Sequence, residues 1–243
     1  MSEKRIALIT GANKGIGFEA ARQLGREGMT VIVAARAAER GEPAAALLVD
    51  EGIDARFVQL DVTDEASVRA AAKWVEAEYG RLDVLVNNAG IAPAEASVSP
   101  SELPLKALRA TYETNVFGVV AVTNAMLPLL RRAEAARIVN VSSELGSLTL
   151  LSDPESIYYP FNLMAYNSSK SALNGITLSY AKELAGTGIK VNAANPGYTA
   201  TDINGHSGPQ TVEEGAACVV PLALLDADGP SGGFFTGTEP LPW

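Results

Sequence analysis

Short apolar runs that alternate along the whole chain with amphipathic stretches of helical length leave few folds open. The runs are Arg5–Thr10, Thr30–Ala35, Arg56–Leu60, Asp83–Val86, Arg137–Val141, Ile189–Ala194 and a last short one at Gly232–Phe235. Thr30–Ala35 is apolar after its first residue, as a strand covered on both faces must be. Between the runs, helical patterns cover about Gly17–Arg26, Glu39–Glu51, Leu103–Arg132, a stretch through Tyr166 to about Ala185, and Val212–Leu225. Thr63 is placed to cap the helix after the third run, with Asp64 and Glu65 favourable in its first turn. Strand and helix in such alternation predict an α/β fold built on a parallel sheet. No linker, charge block or low-complexity segment interrupts it, so 243 residues, 47% hydrophobic, read as one domain.

Composition removes several kinds of partner. The net charge of −9 comes with no basic run longer than Arg131-Arg132, which argues against a nucleic-acid or anionic membrane surface. Cys218 is the only cysteine and His206 the only histidine, so no intrachain disulfide is possible and no metal site of ordinary zinc composition can be assembled. Neither the N-terminus nor any apolar run reaches the roughly 18 residues of a membrane span, and a cytoplasmic location is expected.

The chemistry gathers where the runs end. Gly11, Gly15 and Gly17 in the turn TGANKGIG follow the first run and precede the first helix, an arrangement that lets backbone approach a pyrophosphate at a helix N-terminus. The second run ends at Arg36, where an acidic residue would hold free ribose hydroxyls and an arginine accommodates a 2′-phosphate. Lys14 is a second cation for the same phosphate. The fourth run ends in Asn87-Asn88-Ala89-Gly90, and the fifth runs into Ser142-Ser143, a hydroxyl where ligands bind in open α/β sheets. Asn115 lies inside a helical stretch, where an asparagine facing the core must find partners. Tyr166 and Lys170 share one helix face, so an ammonium beside a phenol is expected to bring the phenol nearer neutrality, where it exchanges protons with a carbonyl or alcohol oxygen.

Taken together, TGANKGIG at 10–17, Asp61-Val62, NNAG at 87–90, Asn115, Ser143, Tyr166-xxx-Lys170 and Pro196-Gly197-xxx-Thr201 resemble the short-chain dehydrogenase/reductase family over nearly the whole chain. The segments ANKGIGFE, RFVQLDVTD, LDVLVNNAGIA and GGFFTGTEPLPW are similar to NADPH-dependent carbonyl reductases within it. The resemblance implies a single Rossmann-like domain with a seven-stranded parallel sheet, its dinucleotide-binding half at about 1–142 and its catalytic and substrate-binding part at about 143–243. It implies NADP(H) as cofactor and a small carbonyl or alcohol compound as substrate. Tyr166 is then the proton donor and Lys170 its partner, also binding the nicotinamide ribose. Ser143 donates to the substrate oxygen, and Asn115 holds a water that resupplies protons. The cofactor is expected against Gly11, Asn13, Lys14, Gly15, Ile16, Gly17 and Arg36, with Asp61 and Val62 at the adenine. Asn88, Ala89 and Gly90 follow on the adenosine side, and Pro196, Gly197 and Thr201 at the nicotinamide.

Two features depart from the family pattern. The interval from Ser143 to Tyr166 is long, and its Ser152-Asp153-Pro154-Glu155 region resembles a shortened carbonyl reductase insertion, which leaves monomer and homo-oligomer both open. The connection from Thr201 to Thr211 is too short for a helical lid, so an open pocket is expected, with Leu145, Tyr159, Phe161, Tyr198 and Ile203 as wall or core residues. An imine or enone reductase, or a dinucleotide-binding protein without turnover, would use the same scaffold.

Overall fold

The computed structural model describes residues 4–243. The first half of the chain contributes β1 (Ile6–Thr10), α1 (Gly15–Arg26), β2 (Thr30–Ala35), α2 (Ala38–Asp50), β3 (Ala55–Gln59), α3 (Glu65–Tyr79) and β4 (Val84–Asn87). There follow α4 (Leu105–Tyr112), α5 (Gly118–Leu130), β5 (Arg137–Val141), α6 (Leu148–Ser152), α7 (Met164–Glu183) and β6 (Lys190–Ala194). The chain closes with α8 (Val212–Ala216), α9 (Val219–Ala223), β7 (Phe234–Thr236) and β8 (Glu239–Pro240).

The strands form one sheet in the order β3-β2-β1-β4-β5-β6-β7-β8. Strands β1 to β7 are parallel, as expected; the eighth is short and antiparallel to β7. It arises because Gly237, at φ +59°, turns the chain back on itself, and its Pro240 sits at the sheet edge, where a missing N–H is tolerated. From β1 the chain winds outward through β2 and β3, then crosses to β4 on the other side. The ends of β1 and β4 therefore form the topological switch point, the crevice where ligands bind in sheets of this kind.

Alternate residues along each strand serve opposite faces. Ala7, Ile9, Val31, Val33 and Val86 pack under Ala20, Leu24 and Leu48 of α1 and α2. Leu8, Ile32, Leu85, Ile138 and Val191 pack against Val68 and Val75 of α3, Met126 of α5 and Tyr180 of α7. Burial on both faces is why these strands read as unbroken apolar runs. At about 25 cal/mol per Å² of apolar surface removed from water, the two layers are the main source of stability.

Three elements differ from their sequence reading. The long helix over 103–132 is interrupted by a π turn, Glu113–Phe117, that separates α4 from α5. The predicted helix Val212–Leu225 breaks into α8 and α9, because Pro221 has no N–H to return to the carbonyl of Ala217. Asp64, not Thr63, caps α3: its carboxylate accepts from Ala66 N at 2.8 Å, while the Thr63 hydroxyl donates to Asp61 at 2.8 Å. The α4–α5 span, Leu105–Leu130, is long and apolar enough to cross a membrane by length and composition. Half of that window is buried inside the protein, and α5 packs against α3 and β4 as a core helix does.

A polar ladder crosses the centre of the sheet. Asn87 of β4 donates to Asn140 of β5 at 2.9 Å and to Thr123 of α5 at 3.1 Å, and Asn140 donates to Thr177 of α7 at 2.8 Å. All four side chains are buried, so each bond replaces one to water that folding removed. Asn140→Leu keeps the volume but removes one bond each from buried Asn87, left with Thr123, and buried Thr177, left with Leu173 O. Urea denaturation should show a loss of about 2–4 kcal/mol with unchanged m-value.

Candidate active site

The glycine turn after β1 is braced from β4. Asn88 Nδ2 donates to the carbonyls of Thr10 at 2.8 Å and Gly11 at 3.3 Å, while the Thr10 hydroxyl accepts from the N–H groups of Asn88 and Ala89, both at 3.0 Å. Gly17 is required by this brace, since a Cβ there would stand 2.3 Å from Asn88 Nδ2 and 2.8 Å from the Gly11 carbonyl oxygen. Gly11 and Gly15 take φ of +64° and +58°, the left-handed region that glycine tolerates. Lys14 at the head of α1 provides no side-chain cap, so the helix opens with its N–H groups toward the crevice. Arg36 is exposed at the end of β2. Lys14 is held by Asp202, which His206 also meets at 2.7 Å; this carboxylate is a partner that no local sequence signal announces. Asp61 accepts from Thr63 N at 2.9 Å, and Val62 packs where a Cβ on Gly118 of α5 would come within 2.9 Å of it.

Asn115 sits in the π turn, buried, and grips the main chain of one residue on both sides of its Cα. Its Oδ1 accepts from Ile91 N at 2.8 Å, and its Nδ2 donates to Ile91 O at 2.9 Å and to Ser169 Oγ at 3.0 Å. The loop after β4 is thereby fixed to α7. Gly90 leaves room there: a Cβ on it would lie 3.4 Å from Asn115 Oδ1 and 3.6 Å from Lys170 Nζ.

Ser143 ends β5 and caps a short 3₁₀ turn at 144–146, its Oγ accepting from Leu145 N at 3.2 Å. The same hydroxyl lies close enough to the Tyr166 phenol to favour its ionised form. Gly146 brings the turn onto α7, where a Cβ would fall 2.7 Å from the carbonyl carbon of Lys170. The Lys170 ammonium is buried, donates to Val141 O at 2.8 Å and lies 5.6 Å from the centre of the Tyr166 ring. Burial brings Lys170 down to about 8. Burial also pushes the Tyr166 phenol up to about 12, with the Ser143 hydroxyl lowering it and the charge of Glu144 raising it further. The expected net lowering of the phenol is thus reversed here, because burial outweighs every favourable neighbour.

Beyond β6, Asn195 is buried and ties three segments. Its Oδ1 accepts from Glu144 N at 3.3 Å and Gly197 N at 3.2 Å, while its Nδ2 donates to the Glu144 carboxylate and to Thr236 Oγ1 at 2.7 Å. Gly197, next to Pro196, has φ +69°, and Thr201 reaches back to the glycine turn, its Cγ2 3.7 Å from where a Cβ on Gly15 would be. Sequence reading missed Glu144, Asn195 and Asp202; their only signals were polar residues beside Ser143, Pro196 and Thr201. Of the proposed wall residues, Tyr159, Phe161, Tyr198 and Ile203 are exposed rather than core. Tyr159 and Phe161 border a cavity of about 570 Å³ with Leu148, Met164, Asn167 and Ser168, on a different side of α7 from Tyr166 and Lys170. Tyr158 is half-buried, and burial together with the charge of Glu144 raises its phenol. Cys218 is a free, buried thiol that burial pushes up to about 12.

Over residues 5–211 the chain matches the family model of the short chain dehydrogenases. It is 36% identical over 309 aligned residues to a (−)-isopiperitenone reductase of Mentha piperita, covering 98% of both chains. Carbonyl reductase [NADPH] 1 of Sus scrofa is 35% identical, with 100% of this chain and 95% of the relative covered. Among solved structures, an NADPH-bound carbonyl reductase from chicken fatty liver superposes with a TM-score of 0.87 at 29% identity, over 100% of each chain.

The position of the phenol is open to a direct optical check. A phenol raised to about 12 stays protonated where ordinary tyrosines, near ~10, ionise. Subtracting the alkaline absorbance titration of Tyr166→Phe from that of the native protein should leave no phenolate step below about pH 11; a step near pH 9 would show that the lysine wins.

Proposed function

We propose that this chain, which belongs to the short chain dehydrogenase family, is an NADP(H)-dependent oxidoreductase that reduces a ketone or aldehyde to an alcohol and runs reversibly. The observation that carries this reading is the hydroxyl of Ser143 against the phenol of Tyr166, beside a buried ammonium at Lys170. A protein that only bound dinucleotide would have no need of that arrangement.

The residues present fit NADP(H). The crevice at the switch point is floored by glycines 11, 15, 17 and 90, and the helix N-terminus above it has no side-chain cap. Gly11, Asn13, Lys14, Gly15, Ile16, Gly17 and Arg36 would hold the phosphates, Arg36 and Lys14 serving the 2′-phosphate once Lys14 leaves Asp202. Asp61 and Val62 would meet the adenine, Asn88, Ala89 and Gly90 the adenosine side. Pro196, Gly197 and Thr201, with Tyr166 and Lys170, would meet the nicotinamide end. In this reading the dinucleotide-binding half extends to about residue 142 and the catalytic part follows.

When bound, the reduced nicotinamide supplies a hydride to the carbonyl carbon. The chain's own groups handle the oxygen. Ser143 donates to it as negative charge grows there, which favours the transition state over the ketone. Tyr166, a neutral phenol across the physiological range, releases its proton to the same oxygen. Lys170 holds positive charge close to the resulting phenolate. Both amide hydrogens of Asn115 are spent on Ile91 and Ser169, so a water for proton resupply would rest on the main chain of the π turn.

Two measurements test this. A panel of aldehydes, ketones, quinones, imines and enones, followed by nicotinamide absorbance, should show turnover of carbonyls, and Tyr166→Phe should lower it by on the order of 10²-fold or more with NADPH binding intact. Native protein should prefer NADPH to NADH, and Arg36→Asp should erase or reverse that preference, because a carboxylate repels the phosphate and accepts from free ribose hydroxyls. Equal kcat/KM for both cofactors in the native protein would refute the roles of Arg36 and Lys14.

A further inference from the structure

Glu144 puts a carboxylate one residue beyond Ser143. It is partly exposed and held by Asn195, whose Nδ2 donates to Oε1, while the Tyr158 phenol, brought in by the segment between α6 and α7, lies within reach of its charge. The Asn195 bond occupies one of the roughly four acceptor positions of a carboxylate. Among the ion pairs of the described residues none involves Glu144, so no described cation pairs with it. Its charge reaches the reacting oxygen of Tyr166, whose phenol it raises.

We propose that Glu144 selects substrates by charge: the pocket favours carbonyl compounds that carry an ammonium group or a hydroxyl donor near the carbonyl, and disfavours keto acids. This rests on the carbonyl reductase reading above. A carbonyl oxygen held by Ser143 and Tyr166 places the rest of the substrate within Coulomb reach of Glu144. Water is partly excluded there, so screening is weaker than on an open surface. A carboxylate on the substrate meets a like charge that has no counter-ion. An ammonium supplies the missing counter-ion, and a hydroxyl can donate to an unused carboxylate position. The bond from Asn195, itself buried and tied to Thr236, makes the charge a fixed feature of the pocket, not a side chain that swings aside.

The test uses aryl methyl ketones of matched size bearing an aminomethyl, a hydroxymethyl or a carboxylate group, with native protein and Glu144→Gln at saturating NADPH. Glutamine keeps a carbonyl oxygen for Asn195 and removes only the charge. Native protein should rank the ammonium compound first and the carboxylate last in kcat/KM. In Glu144→Gln the ratio between those two should shrink by on the order of tenfold, mainly through KM; the ratio is the readout, because losing the charge also acts on the Tyr166 phenol for all three ketones alike. The native ratio should also shrink as sodium chloride is raised, a check that needs no variant. A ratio that does not move, or an equal change for all three ketones, overturns the proposal. Failure of native protein to reduce any of the three refutes the carbonyl reductase reading, and this inference with it.

Discussion

Lys170 is an ammonium in a place that is almost dry, and the arrangement around it follows from that. Burying such a charge costs several kcal/mol unless neighbours replace its water. Val141 O replaces part of it from the end of β5. For the strand end to lie that close, the turn after it must press onto α7, and only a glycine at 146 clears the backbone of Lys170. Asn174 then secures the turn by donating to Gly146 O at 3.2 Å, and its Oδ1 accepts from Ser142 Oγ at 2.6 Å. These contacts fix the backbone on either side of Ser143, and its hydroxyl lies where it favours the ionised Tyr166 phenol.

The crevice at the switch point depends on a second set of ties, equally indifferent to helix or strand propensity. Thr10, Asn88 and Asn115 each bind main chain across a gap between elements, so three loops that would otherwise be mobile form one surface. Polar side chains at strand ends are conspicuous here because the strands themselves are apolar; Thr10 and Asn88 are spent on backbone that no sheet neighbour satisfies, and Asn87, Asn140, Ser142 and Asn195 on one another's helices and loops.

That contrast explains how much could be read in advance. Strands buried on both faces announce themselves as apolar runs, and Arg137–Val141 was placed to the residue. The residues Ser143, Tyr166 and Lys170 were recognisable from their spacing and their place after a strand. What escaped depends on contacts distant in sequence or on direction rather than position. Lys14 and Asp202 are separated by 188 residues, and Asn195 and Thr236 by 41. The i, i+4 spacing puts Lys170 on the face of Tyr166 but does not say how deeply the pair is buried, and burial is what raises the phenol. The eighth strand was hidden because a two-residue edge strand has no period to detect.

The π turn at Glu113–Phe117 has a consequence for how the fold tolerates change. One extra residue in a helix turns everything beyond it by about 100°. Here that offset acts as a clutch: α4 faces α7 while α5 faces α3 and the sheet, each keeping its own apolar side. Drift in one half of the long helix need not be matched in the other. The slack is taken up at Asn115, the residue that joins the crevice to α7, so the site stays in register while the outer helix is free to vary.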